Sequence, residues 1–262
     1  MATISKAKIK YIRSLERKKI RNAEGLFIAE GPKLVGDLLP YFHCRLLAAT
    51  PEFFEVQERG DKNGIGNKAD EVFELSQAEL SAASLLQAPQ QVIALFEQPR
   101  YTLSADYPEQ DLCLALDDVQ DPGNLGTIIR LADWFGIRHI VCSQGTVDVY
   151  NPKAVQATMG ALARVKVHYT ALADYIRSLP METPVFGTFL DGENIYTRKL
   201  PTKGLLVMGN EGNGIGPEIE ALVNRKLYIP NYPQGETTSE SLNVAIATAV
   251  TCAEFRRQAA WQ

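Results

Sequence analysis

Five polar residues able to hold a proton, a hydroxyl or a phosphate fall in three separated stretches of the C-terminal half. Asn124 and Arg130 lie in LALDDVQDPGNLGTIIRLADWFGI (114–137), Glu211 in LLVMGNEGNGIG (205–216), and Ser241 and Asn243 in LYIPNYPQGETTSESLNVAIATAV (227–250). Each stretch runs from an apolar segment of strand length into a loop dense in Gly, Asn, Pro or Ser. In the first and third a small-residue helical pattern follows. Loops leaving the carboxyl ends of strands are where α/β sheets bind ligands, so the three read together as one composite small-molecule site. Such a site works with amides, a hydroxyl, a guanidinium and main-chain groups, without a metal cage or an activated nucleophile. Taken singly, each residue also has an ordinary reading: Asn124 and Ser241 as helix caps, Arg130 in a surface ion pair, Glu211 as a solvated turn residue.

Several chemistries are excluded by what the same loops lack. GNEGNGIG does not match GxGxxG, and no acid follows about 20 positions on to hold a ribose, as a dinucleotide site expects. There is no GK[ST] phosphate loop, no GxSxG elbow and no cysteine close to a histidine in sequence. Dehydrogenase, NTPase and nucleophilic hydrolase readings fall away.

The elements that must position the loops alternate. Apolar stretches at 112–119, 138–143, 163–169, 183–190, 204–209 and 225–231 read as strands, with helical patterns at 124–136, 152–162, 171–179, 216–224 and 242–255. Near-continuous apolar strands alternating with helices predict a buried, largely parallel sheet. Upstream, 26–31, 44–50, 72–76 and 91–98 read as strands of a smaller α/β unit. Pro32 starts one of its helices and Ser76 with Glu79 forms a capping box on another. Residues 99–110 read as a linker. In 124–136 the apolar stripe is Leu125, Ile128, Ile129, Ala132 and Phe135, which leaves Thr127, Arg130 and Trp134 opposite. A tryptophan there, and a last helix apolar all round until Glu254, point to a homodimer, although enclosure within one subunit explains the last helix equally well.

A chain of 262 residues, 45% hydrophobic and 22% charged, is of ordinary globular composition. It carries no apolar run of membrane-spanning length and no export signal at its start, so cytoplasm is expected. Cys44, Cys113, Cys142 and Cys252 form no CxxC pair and read as reduced, mostly buried thiols. His43, His139 and His168 are too dispersed in sequence to suggest a metal site. The net charge of −4 conceals an N-terminal arm in which residues 1–22 hold eight lysines and arginines against one acid. Within it Lys18, Lys19 and Arg21 read as nucleic-acid contacts; the alternative is a solvated helix with Ile4, Ile9, Ile12 and Leu15 turned inward.

DPGNLGTIIRLADWFGI, VMGNEGNGI and IPN…SESLNVAIATA, in that order, resemble the three motifs of SpoU-type RNA 2′-O-ribose methyltransferases of the SPOUT superfamily. YNPKAVQATMGALARVKV (150–167) resembles the family's connecting segment, and the first unit, with LFIAEGPKLV, an L30e-like RNA-binding domain. The resemblance implies an L30e-like domain over 1–98 and a methyltransferase domain over 111–262 whose C-terminal segment is threaded into a deep trefoil knot. It further implies S-adenosylmethionine held by main chain around Gly209, Ile229 and Leu242, and a homodimer with the site near the subunit interface. Asn124, Arg130, Glu211, Ser241 and Asn243 become the catalytic set, with Arg130 also an RNA contact. The substrate is RNA, ribosomal in preference to transfer RNA. The alternative is an RNA-binding or ribosome-assembly protein that has lost turnover. The third motif departs from the family form: Ile229 to Leu242 spans 13 positions, four more than usual, and Asn231 replaces methionine.

Overall fold

The computed structural model describes residues 2–60, 68–233, 239 and 241–259, so the middle of the lengthened third-motif loop, residues 234–238 with Gly235 and residue 240, lies outside the described residues. In chain order the first elements are β1 (Ala2–Thr3), α1 (Lys6–Ser14), α2 (Lys18–Glu24), β2 (Leu26–Glu30), α3 (Pro32–Leu38), β3 (Cys44–Ala49), α4 (Pro51–Gly60), β4 (Ala69–Glu74), α5 (Gln77–Ala83) and β5 (Val92–Glu97). Then come α6 (Tyr107–Gln110), β6 (Leu112–Leu116), α7 (Pro122–Trp134), β7 (His139–Ser143), α8 (Pro152–Thr158), β8 (Lys166–Thr170) and α9 (Leu172–Arg177). The last are β9 (Val185–Asn194), β10 (Gly204–Met208), α10 (Pro217–Glu220), β11 (Arg225–Tyr228) and α11 (Val244–Ala259).

Contacts group these elements into two compact units, residues 1–100 with 148–163, and 101–147 with 164–262. The boundaries expected from sequence do not separate out the insert 148–163. It packs with the first unit for identifiable reasons. Tyr150 stacks on Phe27 with ring centroids 5.0 Å apart, Ala154 and Val155 of α8 are buried, and Asp148 receives the Arg21 guanidinium at 2.5 Å.

In the first unit a mixed sheet runs in the order β1-β4-β3-β5-β2. Pro32 does start α3, and Ser76 and Glu79 close the capping box at α5. The basic arm folds as α1 and α2 over this sheet, with Ile4, Ile12 and Leu15 buried. Its lysines stay outside: Lys18 and Lys19 are exposed, with no hydrogen bond or ion pair among the described residues. Arg21 does not fit the RNA-contact expectation. It is 1% exposed and donates to the carbonyls of Leu15 and Glu16 at 2.9 and 2.6 Å as well as to Asp148. Every third or fourth residue of so short a helix must face the core, and here that residue is an arginine.

The second unit is a six-stranded, all-parallel sheet of order β11-β9-β10-β6-β7-β8. All residues of β6 and β10 are buried, as strands covered on both faces require. The chain proceeds from β6 outward to β7 and β8, then returns on the other side. The strand order therefore reverses between β6 and β10, and the crevice beyond their carboxyl ends is where an open α/β sheet takes its ligand. At the amino end of β7 the parallel pairing of β7 with β8 brings together two histidines that sequence distance keeps apart. His139 Nδ1 and His168 Nε2 lie 3.2 Å apart, with Tyr107 stacked on His139 at 3.7 Å.

All four cysteines are buried and free. Among the described residues no helix is long and apolar enough to cross a membrane, and no cluster of three or more His, Cys, Asp or Glu is poised for a metal.

Candidate active site

The loops after β6 and β10 are bound together by their first residues. Asp117 N–H donates to the Met208 carbonyl at 2.9 Å, and its carboxylate accepts Gly216 N–H at 2.8 Å. Asn210 donates its amide to the Asp118 carbonyl at 2.7 Å and accepts Gly212 and Asn213 N–H at 2.8 and 3.0 Å. Asp118 sits at φ 58°, a left-handed conformation uncommon outside glycine and held only where the surroundings over-determine it. They do so here. Ser143 Oγ accepts its N–H at 2.9 Å, and Gln120 Nε2 bridges its carboxylate (2.6 Å) to the Gly145 carbonyl (2.7 Å). Sequence reasoning does not single out Asp117, Asp118, Gln120 or Asn210; the one available signal is the run of acids and amides straight after a buried strand.

Gly209 is needed for a reason internal to the loop. Asn210 and Gly214 exchange two main-chain hydrogen bonds at 2.9 and 3.0 Å, which folds the loop back until a Cβ on Gly209 would collide with the backbone of Gly214 and Ile215. Only glycine lets the second motif close on itself.

From this base the five expected polar residues separate into two groups. Asn124, Glu211 and Asn243 form a relay. Asn124 Nδ2 donates to Glu211 Oε1 at 2.9 Å, and Asn124 Oδ1 accepts Asn243 Nδ2 at 3.0 Å. Asn243 in turn accepts Ala245 and Ile246 N–H at 3.0 and 3.3 Å, which caps α11. The cap on α7 is Asp121, accepting Asn124 N–H at 2.7 Å, so the Asn124 side chain is free to bridge the first motif to the second and third. Glu211 also faces the N–H groups of Gln120 and Asp121 at 3.4 and 3.5 Å. Burial pushes its carboxyl up, but the hydrogen bonds from Asn124 and these main-chain groups outweigh that and hold it below the usual carboxylate range. It is an ionised brace.

Arg130 and Ser241 behave differently. Both are exposed, and neither has a hydrogen bond or ion pair among the described residues. Arg130 lies six residues along α7 from Asn124, roughly 240° around the helix, and the structure does not bring it to the relay within one chain. Of the expected cofactor positions, Gly209 is buried, Ile229 half-buried, and Leu242 is 48% exposed beside the relay in sequence. On the outer surface Trp134 of α7 is 83% exposed and Ile246 of α11 53%. Both helices pack together, tied at one end by Arg256 Nε donating to the Phe135 carbonyl at 2.7 Å.

Comparison with known proteins gives this geometry a context. A TrmH-family protein from Porphyromonas gingivalis superimposes with a TM-score of 0.83 at 42% identity, covering 98% of this chain and all of that one. An AdoMet-bound rRNA methyltransferase from Sinorhizobium meliloti gives 0.84 at 31% identity, over 98% of this chain and 97% of that one. The Bacillus subtilis 23S rRNA (guanosine(2553)-2′-O)-methyltransferase RlmP is 31% identical over 95% of this chain and 96% of its own length. Residues 6–94 match the MRM3-like substrate binding domain. Residues 111–253, more than half the chain and all three motif loops, match the SpoU rRNA Methylase family, and the chain belongs to that family.

Proposed function

We propose that this chain methylates the ribose 2′-hydroxyl of a guanosine in large-subunit ribosomal RNA, with S-adenosylmethionine as donor, in the cytoplasm and as a homodimer. The observation that carries the reading is the relay from Glu211 through Asn124 to Asn243, which joins the three motif loops at the reversal point of the sheet. RlmP, alike over nearly its whole length, is named for this reaction on a 23S rRNA guanosine.

The residues present suit the cofactor. The loops offer main-chain groups around Gly209, with Ile229 and the exposed Leu242 as apolar surface for a nucleoside and its thioether arm. When bound, S-adenosylmethionine supplies an electrophilic methyl on a sulfonium. The protein must then align the 2′-hydroxyl, accept or pass on its proton and stabilise the charge that grows on oxygen. Asn124, Glu211 and Asn243 are occupied with one another, so we read them as positioning residues that fix the loops. Ser241 and Arg130 have no partner for their donors among the described residues and are assigned to the substrate. A guanidinium stays protonated in proteins, so Arg130 grips phosphate or stabilises the alkoxide. Since it points away from the relay of its own chain, it serves the partner's site across a dimer interface on α7 and α11. Trp134 anchors that interface; exposed tryptophans of this kind are characteristic hot spots. The segment from β11 into α11 is read as the threaded part of the family's trefoil knot. Lys18 and Lys19 supply phosphate attraction from the first unit.

Calorimetry with S-adenosylmethionine, followed by methyl transfer to a 23S rRNA transcript with a tRNA control, tests the reading. Cofactor binding with transfer to the rRNA ribose supports it; binding of neither cofactor nor rRNA refutes it.

A further inference from the structure

The first unit holds a cavity of about 320 Å³ between the β2–α5 side of its sheet and α8. Ile28, Leu86, Pro152 and Ala157 give it apolar walls, and its polar groups are Glu30, Gln156 and Lys153. Lys153 is exposed at the mouth, whereas Glu30 is 3% exposed. Each Glu30 oxygen takes one internal donor, Leu85 N–H at 2.8 Å on Oε1 and the Ser84 hydroxyl on Oε2. An ionised carboxylate has about four acceptor positions, so two remain. No ion pair with Glu30 exists among the described residues; the nearby Arg13 donates Nη1 to the carbonyls of Ala82 and Ser84 at 3.3 and 2.8 Å, and its charge acts on Glu30 without a direct contact. A carboxylate kept in an apolar recess with no direct ion pair is costly, and a Gln could not accept both internal donors and still offer two acceptors to a ligand.

The volume lies at the lower end of small-ligand pockets, roughly 300–1,000 Å³. Its chemistry asks for a small, partly apolar body with two adjacent donors on one edge. Among nucleobases that edge is the N1–H and N2–H₂ of guanine; adenine, cytosine and uracil each place a donor beside an acceptor. A cationic group at the mouth suits the attached phosphate. We propose that this cavity is a guanine-reading subsite for the RNA substrate, an inference that rests on the methyltransferase reading above. It assigns to the first unit a base-specific contact in addition to phosphate attraction.

The test uses the full chain saturated with S-adenosylhomocysteine, so that added nucleotide is kept from the cofactor loops. GMP, IMP and AMP are titrated and followed by saturation-transfer NMR. GMP is expected to bind, with IMP, which lacks the 2-amino group, and AMP at least about fivefold weaker, the lower bound for a lost bidentate base contact. Glu30→Gln and the cavity-filling Ala157→Phe should each abolish that preference while S-adenosylmethionine affinity is unchanged. Burial raises the Glu30 carboxyl above its ordinary range, so GMP binding should strengthen as pH rises through it, a dependence that Glu30→Gln removes. Equal binding of the three nucleotides, or normal GMP preference in Ala157→Phe, would overturn the proposal and leave Glu30 as a pin for the 84–86 turn. Failure of the wild type to bind S-adenosylmethionine would overturn the methyltransferase reading and this inference with it.

Discussion

Asn124→Asp is the most searching perturbation of the relay, because it changes one NH₂ to an oxygen and almost nothing else. The donor that meets Glu211 Oε1 at 2.9 Å becomes a second carboxylate. Two unit charges at that separation repel by about 1.4 kcal/mol in water and about 6 kcal/mol at an effective dielectric of 20. Both side chains are partly exposed, so a value near the lower end, about 2 kcal/mol, is expected. The sign with pH follows from linkage. In the wild type Glu211 is held below its ordinary value, so its contribution is complete above that value and lost only as pH falls through the depressed one. In Asn124→Asp the folded pair titrates above the unfolded values. The penalty is therefore full at high pH and fades as pH falls, when one shared proton restores a hydrogen bond. Urea unfolding at about pH 8 and pH 5 reads this directly: a deficit of about 2 kcal/mol at the first, clearly smaller at the second. Adding Glu211→Gln supplies an amide donor to the introduced carboxylate and should recover most of the loss at pH 8. A deficit equal at both pH values and untouched by Glu211→Gln would refute the relay as the joint between the loops.

Arg130→Ala should keep S-adenosylmethionine affinity within about twofold, since Arg130 has no hydrogen bond or ion pair among the described residues, and lose methyl transfer even at saturating RNA; calorimetry and a methylation assay separate the two, and normal turnover would sink the assignment. Lys18→Ala and Lys19→Ala should each lower the slope of log affinity against log salt for single-stranded RNA by roughly 0.7 without altering cofactor binding; an unchanged slope measured by filter binding would remove these lysines from the interface. Burial, with His139 and Lys166 beside it, lowers His168 to about 4. Stability should therefore be complete above the ordinary histidine value of about 6.5 and fall by up to roughly 3 kcal/mol as pH drops toward 4. Urea unfolding across this window should show the loss in the wild type and a shallower one in His168→Gln; identical pH profiles would contradict the neutral histidine pair.

Much of the architecture is legible in the sequence because burial on both faces writes itself into strands such as Leu112–Leu116 and Gly204–Met208. The loops are legible because glycine and amide residues cluster where strands end. Three features are not. Arg21 is indistinguishable in sequence from its exposed neighbours, and only the helix phase turns it inward onto Asp148, 127 residues away. The insert 148–163 follows β7 as any crossover would; what assigns it to the first unit is pairing such as Phe27 with Tyr150. Asn124 reads as a cap, yet Asp121 three residues earlier takes that role and frees the amide for Glu211 and Asn243. Long-range partners decide each case, and spacing carries no record of them.

Ribose methylation of large-subunit rRNA is read out most directly by mapping 2′-O-methyl groups across total RNA from cells with and without this gene. Cells without the gene should lose methylation at a guanosine of the large-subunit rRNA, restored by the wild-type gene and not by Arg130→Ala. Identical maps, or a loss confined to tRNA, would contradict it.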